Sequence, residues 1–243
     1  MPHFFINSKN IDNNIILIND EANYRHIAKA LRVRVGEKLL LIDENQIQYE
    51  TVIQTINSTE IYCLVEKSYI SQRDLTFDLY LAQSPLRSDA QLTLIEKATE
   101  LGVRGIYPIL TDNCALNSSV VEKKIEKWQK VMYEASKQCE RAKIPTCYSP
   151  CNLEDILDKK FDKIIVFAER STEKSLKRYL SDNQIKLGEK VLVIIGPEGG
   201  FSKREFELFN KKGLPLITLG NLILKAETAV IVALGDIIYE YQG

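Results

Sequence analysis

The sequence predicts an α/β protein in two parts: a small β-barrel-like region over residues 1–72, then a larger region, 73–243, whose parallel sheet is covered by helices on both faces. Three observations carry this expectation. Up to about Ile70 the apolar runs are short and alternate with polar residues at period two, as half-buried strands do. From Leu75 onward strand-like runs alternate with amphipathic helical segments, the pattern of a parallel sheet buried on both sides. A polar joint, "SYISQRD" (Ser68 to Asp74), separates the two patterns.

In the first region the strands are read from "HFFI", "NIILI", "EKLLLID", "IQYETVIQTI" and "EIYCLVEKS", with turns at "DEN" and "NSTE". One helix interrupts them, "EANYRHIAKAL", which Asp20 is placed to cap. In the second region the strands are "LTFDLYLAQ", "VRGIYPIL", "IPTCYSP", "KIIVFAE", "KVLVIIG" and "LPLITLG". Ser88 with Gln91, and Ser119 with Glu122, have capping-box spacing and mark two helix starts. On the first of these helices Leu92, Ile95 and Ala98 face inward and Gly102 is the C-terminal stop. On the second, Ile125, Trp128, Met132, Ala135 and Cys139 form the buried stripe. The last helix, "AVIVALGDIIYEY", is apolar almost all round until Gly235. It is expected to be buried, in its own fold or against a second subunit.

With 243 residues, 45% hydrophobic and 27% charged, the chain can bury a sizeable core. Its longest apolar runs are about half a membrane span, and "MPHFFINSKN" lacks the order of a secretion signal. A cytoplasmic protein with no membrane partner is expected. The cysteines, Cys63, Cys114, Cys139, Cys147 and Cys151, are odd in number and scattered, which suits reduced thiols. No Cys-x2-Cys pair is present, and His3 and His26 stand far from every cysteine, so no metal site is expected. A formal net charge of -1 leaves a nucleic-acid partner open, because local patches decide binding. One patch stands out. Arg25, His26, Lys29, Arg32 and Arg34 fall within ten residues that contain no acid, an arrangement suited to phosphates.

The most unusual stretch is "VLVIIGPEGGFS", Val191 to Ser202, where a buried strand gives way to three glycines, a proline and a carboxylate. The spacing of Gly196, Gly199 and Gly200 matches neither dinucleotide nor P-loop fingerprints, and the first strand of the α/β region ends in "AQSPLRSD", without glycine. Glu198 would repel a pyrophosphate held against the same backbone and suits ribose hydroxyls or a cation instead. Glycines let the main chain offer N–H and C=O groups to the edge of a planar base. "ITLGNLILKAETA", Ile217 to Ala229, ends the next strand in a similar way, with "LIL" as a wall for an aromatic ring. Together the two loops predict one cleft for a nucleoside without phosphate.

These residues resemble the ribosomal RNA small subunit methyltransferase E family. The resemblance rests on "HIAKALRVRVGE", "IEKATELGV", "EASKQCERAKIP", "IGPEGGFSKRE" and "LGNLILKAETA", and spans nearly the whole chain. It implies an N-terminal PUA-like RNA-binding barrel and a SPOUT-type trefoil-knotted domain. It also implies a homodimer with its two active sites at the interface, acting on 16S rRNA. The implied reaction is S-adenosylmethionine-dependent methylation of N3 of one uridine, position 1498 in the usual count. That cofactor is an adenosine without phosphate bearing a sulfonium.

Carried over by position, the cofactor cleft uses Ile195, Gly196, Glu198, Gly200, Leu219, Gly220, Ile223, Leu224 and Thr228. Glu134, Gln138 and Arg141, spaced four and three apart, share one helix face. The resemblance favours Arg141 and Gln138 as uracil or phosphate binders, and leaves the base open between Glu198, Glu227 and Glu134. Lys97 joins the basic patch as an RNA contact. Leu222 and Lys225 stand where the family usually has arginine, and His3 stands near where an N-terminal arginine is common. Leucine loses the charge, and lysine loses the two-pronged grip on phosphate or carboxylate. Rival readings are a knotted enzyme acting on another RNA or on a ribose 2′-hydroxyl, and a non-catalytic RNA-binding protein of the same fold.

Overall fold

The structure, a computed structural model, describes residues 3–71, 73–168 and 174–241, with Ser88 described by its backbone alone. Gln72 of the polar joint, Glu169 of the "KIIVFAE" run and the capping side chain of Ser88 therefore lie outside the described residues. The chain divides into two compact units. One comprises Met1–Asp74 with Lys137–Lys143, the other Leu75–Ser136 with Ile144–Gly243.

The first unit is a six-stranded sheet built from β1 (His3–Phe5), β2 (Ile11–Asp12), β3 (Ile15–Ile18), β4 (Lys38–Ile42), β5 (Ile47–Ile56) and β6 (Ile61–Ile70). Its order is β1-β4-β5-β6-β3-β2, antiparallel except for the parallel pair β1 and β4. Register breaks between β5 and β6 at Glu50/Thr51 and at Ile53/Thr55 let the two long strands twist around the core. Phe4, Ile16, Ile18, Ile27, Leu39, Leu41, Ile53 and Ile61 fill that core. The "DEN" turn is real: Asp43 Oδ1 accepts the N–H groups of Asn45 (2.9 Å) and Ile47 (3.0 Å), while Gln46 takes φ +66°.

Asp20 caps α1 (Glu21–Tyr24) by accepting from Asn23 N–H at 2.8 Å. The expected regular helix ends there. Arg25–Ala30 is π-helical, with Leu31 N–H reaching back five residues to the His26 carbonyl, and Arg32 follows at φ +53°.

The second unit holds β7 (Asp78–Gln83), α2 (Ser88–Glu100), β8 (Gly105–Leu110), α3 (Ser118–Glu122), α4 (Ile125–Gln138, its last two residues counted with the first unit), β9 (Thr146–Cys147), β10 (Cys151–Asn152) and α5 (Leu153–Leu157). It continues with β11 (Lys163–Phe167), α6 (Leu176–Asp182), β12 (Lys190–Ile195), α7 (Lys203–Lys211), β13 (Leu216–Ile217) and α8 (Ala226–Tyr241). All its strands are parallel, in the order β10-β8-β7-β12-β11-β13, with β9 pairing on β8 as well. The alternation of β12 shows why both faces are covered. Val191, Val193 and Ile195 pack with α2, α4, α6 and α8, while Leu192 and Ile194 pack with α5 and α7.

α2 ends as expected. Gly102, at φ +86°, donates to the Thr99 carbonyl, and Val103 N–H reaches the Ala98 carbonyl, a Schellman stop. Ile95 and Ala98 are buried, with Leu92 partly so; Gln91 is buried too, its side-chain oxygen accepting from Leu86 N–H at 2.7 Å.

The helix expected from Ser119 differs in two ways. Asn117, not Ser119, is the cap, accepting from Val120 N–H at 3.0 Å, and the Ser119 hydroxyl donates to that same Asn117 oxygen at 2.9 Å. Glu122 accepts from the Ser149 hydroxyl instead of reaching back. The helix is also broken at Lys123 and Lys124 into α3 and α4. Trp128, Met132 and Ala135 are core residues as read, whereas Cys139 falls past the helix end and Ile125 is half-buried.

The "IPTCYSP" strand shrinks to Thr146–Cys147, because Pro145 and Pro150 flank it and cannot donate to a ladder. Along α8, Ala229, Val230, Ala233, Leu234 and Ile237 are buried within this chain, while Ile231 and Tyr239 stay exposed. Among the described residues no helix is long and apolar enough to cross a membrane.

Candidate functional site

The carboxyl ends of β12, β11 and β13 lie side by side, so the loops that follow them open on one edge of the sheet. The β12 loop, Gly196 to Phe201, and the β13 loop, with Leu219, Ile223, Leu224 and Lys225, line one cleft of about 800 Å³. Phe167 and Ala168 from the end of β11 form part of it, with Ala90, Phe206 and the first turn of α8.

Sequence explains the shape of the first loop. Ile195 and Pro197 are buried, and Gly200 takes φ +70°, a conformation that side-chain-bearing residues rarely adopt. A Cβ at Gly196 would meet the Phe201 ring at 3.2 Å, and one at Gly199 would meet Asn113 Cβ at 3.2 Å. Ser202 then caps α7, and Glu205 completes the capping box by accepting from Ser202 N–H at 2.7 Å. In the second loop the Thr218 hydroxyl donates to the Gly220 carbonyl at 2.9 Å, holding Gly220 at φ +128°. The first loop thus brings three glycines, which have only main chain to offer, to the cleft, while the second brings Leu219, Ile223, Leu224 and Lys225.

Glu198 and Glu227 put two carboxylates on the lining, and Lys225, which the sequence reading did not place among the cofactor residues, adds one ammonium. That set suits a zwitterionic nucleoside derivative. Carboxylates favour a sulfonium and ribose hydroxyls, and the ammonium favours an amino-acid carboxylate. S-adenosylmethionine fits the lining on these grounds, with Leu219, Ile223 and Leu224 as apolar walls.

Comparison with known proteins agrees with this geometry. Residues 73–238 match the RNA methyltransferase domain family, and residues 18–66 match the RNA methyltransferase PUA domain. The chain belongs to the RNA methyltransferase family. It is 31% identical to the ribosomal RNA small subunit methyltransferase E of Mesomycoplasma hyopneumoniae over 95% of this chain and 96% of that protein. The Bacillus subtilis protein of the same name is 27% identical, covering 89% of this chain and 87% of its own. The crystal structure of the Neisseria gonorrhoeae protein of that name, bound to S-adenosylmethionine, superposes with a TM-score of 0.84. It is 23% identical and covers 99% of this chain and 98% of its own, a likeness of fold. The fold class is accordingly α/β with a parallel sheet and an N-terminal PUA-like unit.

Of the cofactor residues carried over within this methyltransferase family, Ile195, Gly196, Glu198, Gly200, Leu219, Ile223 and Leu224 line the cleft. Gly220 and Thr228 do not, and both are exposed. Sequence reasoning missed Phe167 and Ala168, whose signal was a third strand, "KIIVFAE", ending at the same sheet edge.

Of the candidate bases, Glu198 and Glu227 line the cleft and Glu134 does not; Glu134 is exposed on α4. Gln138, also exposed, ends α4, and Arg141 is buried, its Nη2 donating to Asp74 Oδ1 at 3.3 Å. Neither Gln138 nor Arg141 lines the cleft.

The basic patch of the first unit is exposed at Arg25, Lys29, Arg32 and Arg34. Arg25 pairs with Glu21 at 2.6 Å, a surface contact, and Lys29 lies over the Tyr24 ring. His26 stands edge-on to Phe4, with Lys137 Nζ 3.3 Å from its Nδ1, so Lys137 adds a cation that the sequence did not group with the patch. Lys97 is held by Glu96 at 2.7 Å and Glu100 at 2.9 Å, partners that offset its charge.

Proposed function

We propose that this protein transfers a methyl group to N3 of a uridine in 16S rRNA of the small ribosomal subunit, using S-adenosylmethionine. The observation that carries the reading is the one cleft lined by the glycine loop after β12 and the loop after β13, with Glu198, Glu227 and Lys225 among its lining residues. The relatives named ribosomal RNA small subunit methyltransferase E, matched over almost their full length, supply the rRNA substrate. Residues 1–72 act as the PUA-like RNA-binding domain and 73–243 as the knotted methyltransferase domain, in a cytoplasmic homodimer serving ribosome biogenesis.

When bound, S-adenosylmethionine supplies an electrophilic methyl on a sulfonium. The chain's own residues do the remainder. Gly196, Gly199 and Gly200 hold the nucleoside through main-chain groups, Leu219, Ile223 and Leu224 wall it, and Lys225 takes the amino-acid carboxylate. Because the uridine N3 carries a weakly acidic proton, the site needs a base or donors that stabilise the anion. Glu198 and Glu227, which line the cleft, are better placed for that role than Glu134. Arg141 and Gln138 remain the proposed binders of uracil or phosphate. The exposed cations Arg25, Lys29, Arg32 and Arg34, with His26, dock the RNA through phosphates.

The test is methyl incorporation into small subunits and into naked 16S rRNA from a strain lacking this gene, with the product mapped by mass. An N3-methyluridine bears the reading out. Label on another base or on ribose would reassign the enzyme, and no label would make it a binding protein.

A further inference from the structure

We infer that the loop after β8, Thr111 to Asn113, is a clamp that sets the height of the glycine loop, with Asn113 and Glu205 as positioning residues for the cofactor. This inference rests on the cofactor reading above. Glu205 is fully buried, yet its two carboxylate oxygens serve two loops distant in sequence. Oε1 accepts from Asp112 N–H at 2.9 Å, and Oε2 accepts from Ser202 N–H at 2.7 Å. Asn113 adds a second tie, its Nδ2 donating to the Gly200 carbonyl at 3.0 Å, with the Gly199 carbonyl at 3.4 Å.

A capping box needs only the two reciprocal bonds between Ser202 and Glu205. The bond to Asp112 is additional, and it fastens the end of one strand to the loop of another. The chain of contacts goes further. The Thr111 and Ser84 hydroxyls are 2.7 Å apart and buried, so the loop after β7 is joined to the same clamp.

The physical need is plain. A loop with Gly199 and Gly200 in sequence has large conformational freedom, and fixing it is costly unless bonds made in the fold offset that cost. Charge-assisted bonds from a buried carboxylate are the strong kind, and their loss leaves donors unsatisfied. Since Gly199 and Gly200 line the cleft and can offer it only main chain, displacing them displaces their binding groups themselves. Asn113 and Glu205 act through that backbone.

Asn113→Asp tests the clamp with almost no change of shape, because a carboxylate cannot donate to the two carbonyls. Glu205→Gln is the second variant, leaving one acceptor where two N–H groups need one each. For both, hydrogen exchange at the amides of residues 199–202 is expected to quicken by about tenfold. The KM for S-adenosylmethionine and the Kd for S-adenosylhomocysteine should rise by about tenfold, with kcat at saturating cofactor nearly kept. Unchanged exchange and affinity in both variants would overturn the clamp, as would a fall in kcat alone. If the unaltered protein bound no S-adenosylhomocysteine while exchange still quickened in the variants, the clamp would stand and the cofactor reading would fall.

Discussion

The two units carry their functional groups in opposite ways. In the second, the cleft is built around a loop with three glycines, raised on strands whose side chains are consumed by two apolar cores. In the first, the proposed contacts are exposed side chains on a π-helical turn and the loop after it, over a core that also holds a buried histidine. A backbone site resists change of side chain but not change of backbone conformation. A side-chain site behaves the reverse way, tolerating small shifts of the chain while losing a fixed amount with each charge removed.

The largest effect expected belongs to the first unit and to a side chain. His3 is 5% exposed, and its two ring nitrogens have no hydrogen-bond partner among the described residues. Burial lowers its imidazole to about 4, with Arg73 and Lys137 acting in the same direction and Glu140 against it. The unfolded chain, with an ordinary histidine, binds more protons between about 6.5 and about 4, so stability falls as pH drops through that window. The loss amounts to about 3 kcal/mol. His3→Phe should flatten this acid limb in urea titrations from pH 7 to pH 4. An unaltered limb would place the acid sensitivity elsewhere.

Next in size is the backbone of the cleft. Gly200 has open space around its Cβ position, so a Cβ there meets no neighbour; the obstacle is φ +70°, where a β-branched residue is strained. Relief requires the loop to move, and with it the carbonyl that Asn113 holds. Gly200→Val is expected to weaken S-adenosylhomocysteine binding by about fiftyfold, roughly 2 kcal/mol, in calorimetric titration. Binding within a few-fold of the unaltered protein would mean that the loop does not carry the affinity.

These two predictions also mark what the sequence made legible. The alternation of "KVLVII" and the break at Gly-Pro-Glu-Gly-Gly located the cleft, because apolar periodicity and glycine punctuation are local signals. Phe167 and Ala168 are not legible as site residues: "KIIVFA" reads as a strand, but nothing in it says that β11 lies between β12 and β13. The roles of Asp112 and Glu205 depend on a contact across 93 residues, which no local pattern encodes. The same is true of His3, which composition presents as a polar residue near the chain start and the fold buries. Asn117 is not distinguished as the cap by sequence, because Ser119 with Glu122 offers an equally good local signal two residues later. The π-helical turn at Arg25–Ala30 has no sequence signature that separates it from an ordinary helix.

Within the basic patch the effects should be smaller and countable. Lys29→Ala and Arg34→Ala are each expected to weaken rRNA binding a few-fold and to lower the salt slope by about one unit. Lys97→Ala should leave that slope unchanged, because Glu96 and Glu100 already offset the ammonium. A loss of slope at Lys97 equal to that at Lys29 would show that its acidic partners release it when RNA arrives.

The smallest effect expected is at Ile223, and it sharpens the contrast most. Its side chain lines the cleft yet is 59% exposed, so truncation removes apolar contact on one side only. Ile223→Ala should weaken S-adenosylhomocysteine binding by about threefold, a fraction of a full side-chain burial. The ratio between Gly200→Val and Ile223→Ala measures how far this site depends on main chain. Equal losses would mean that the apolar wall holds the nucleoside and that the glycines only shape the turn. A ratio near ten or above would assign the affinity to the backbone that Gly200 keeps in place.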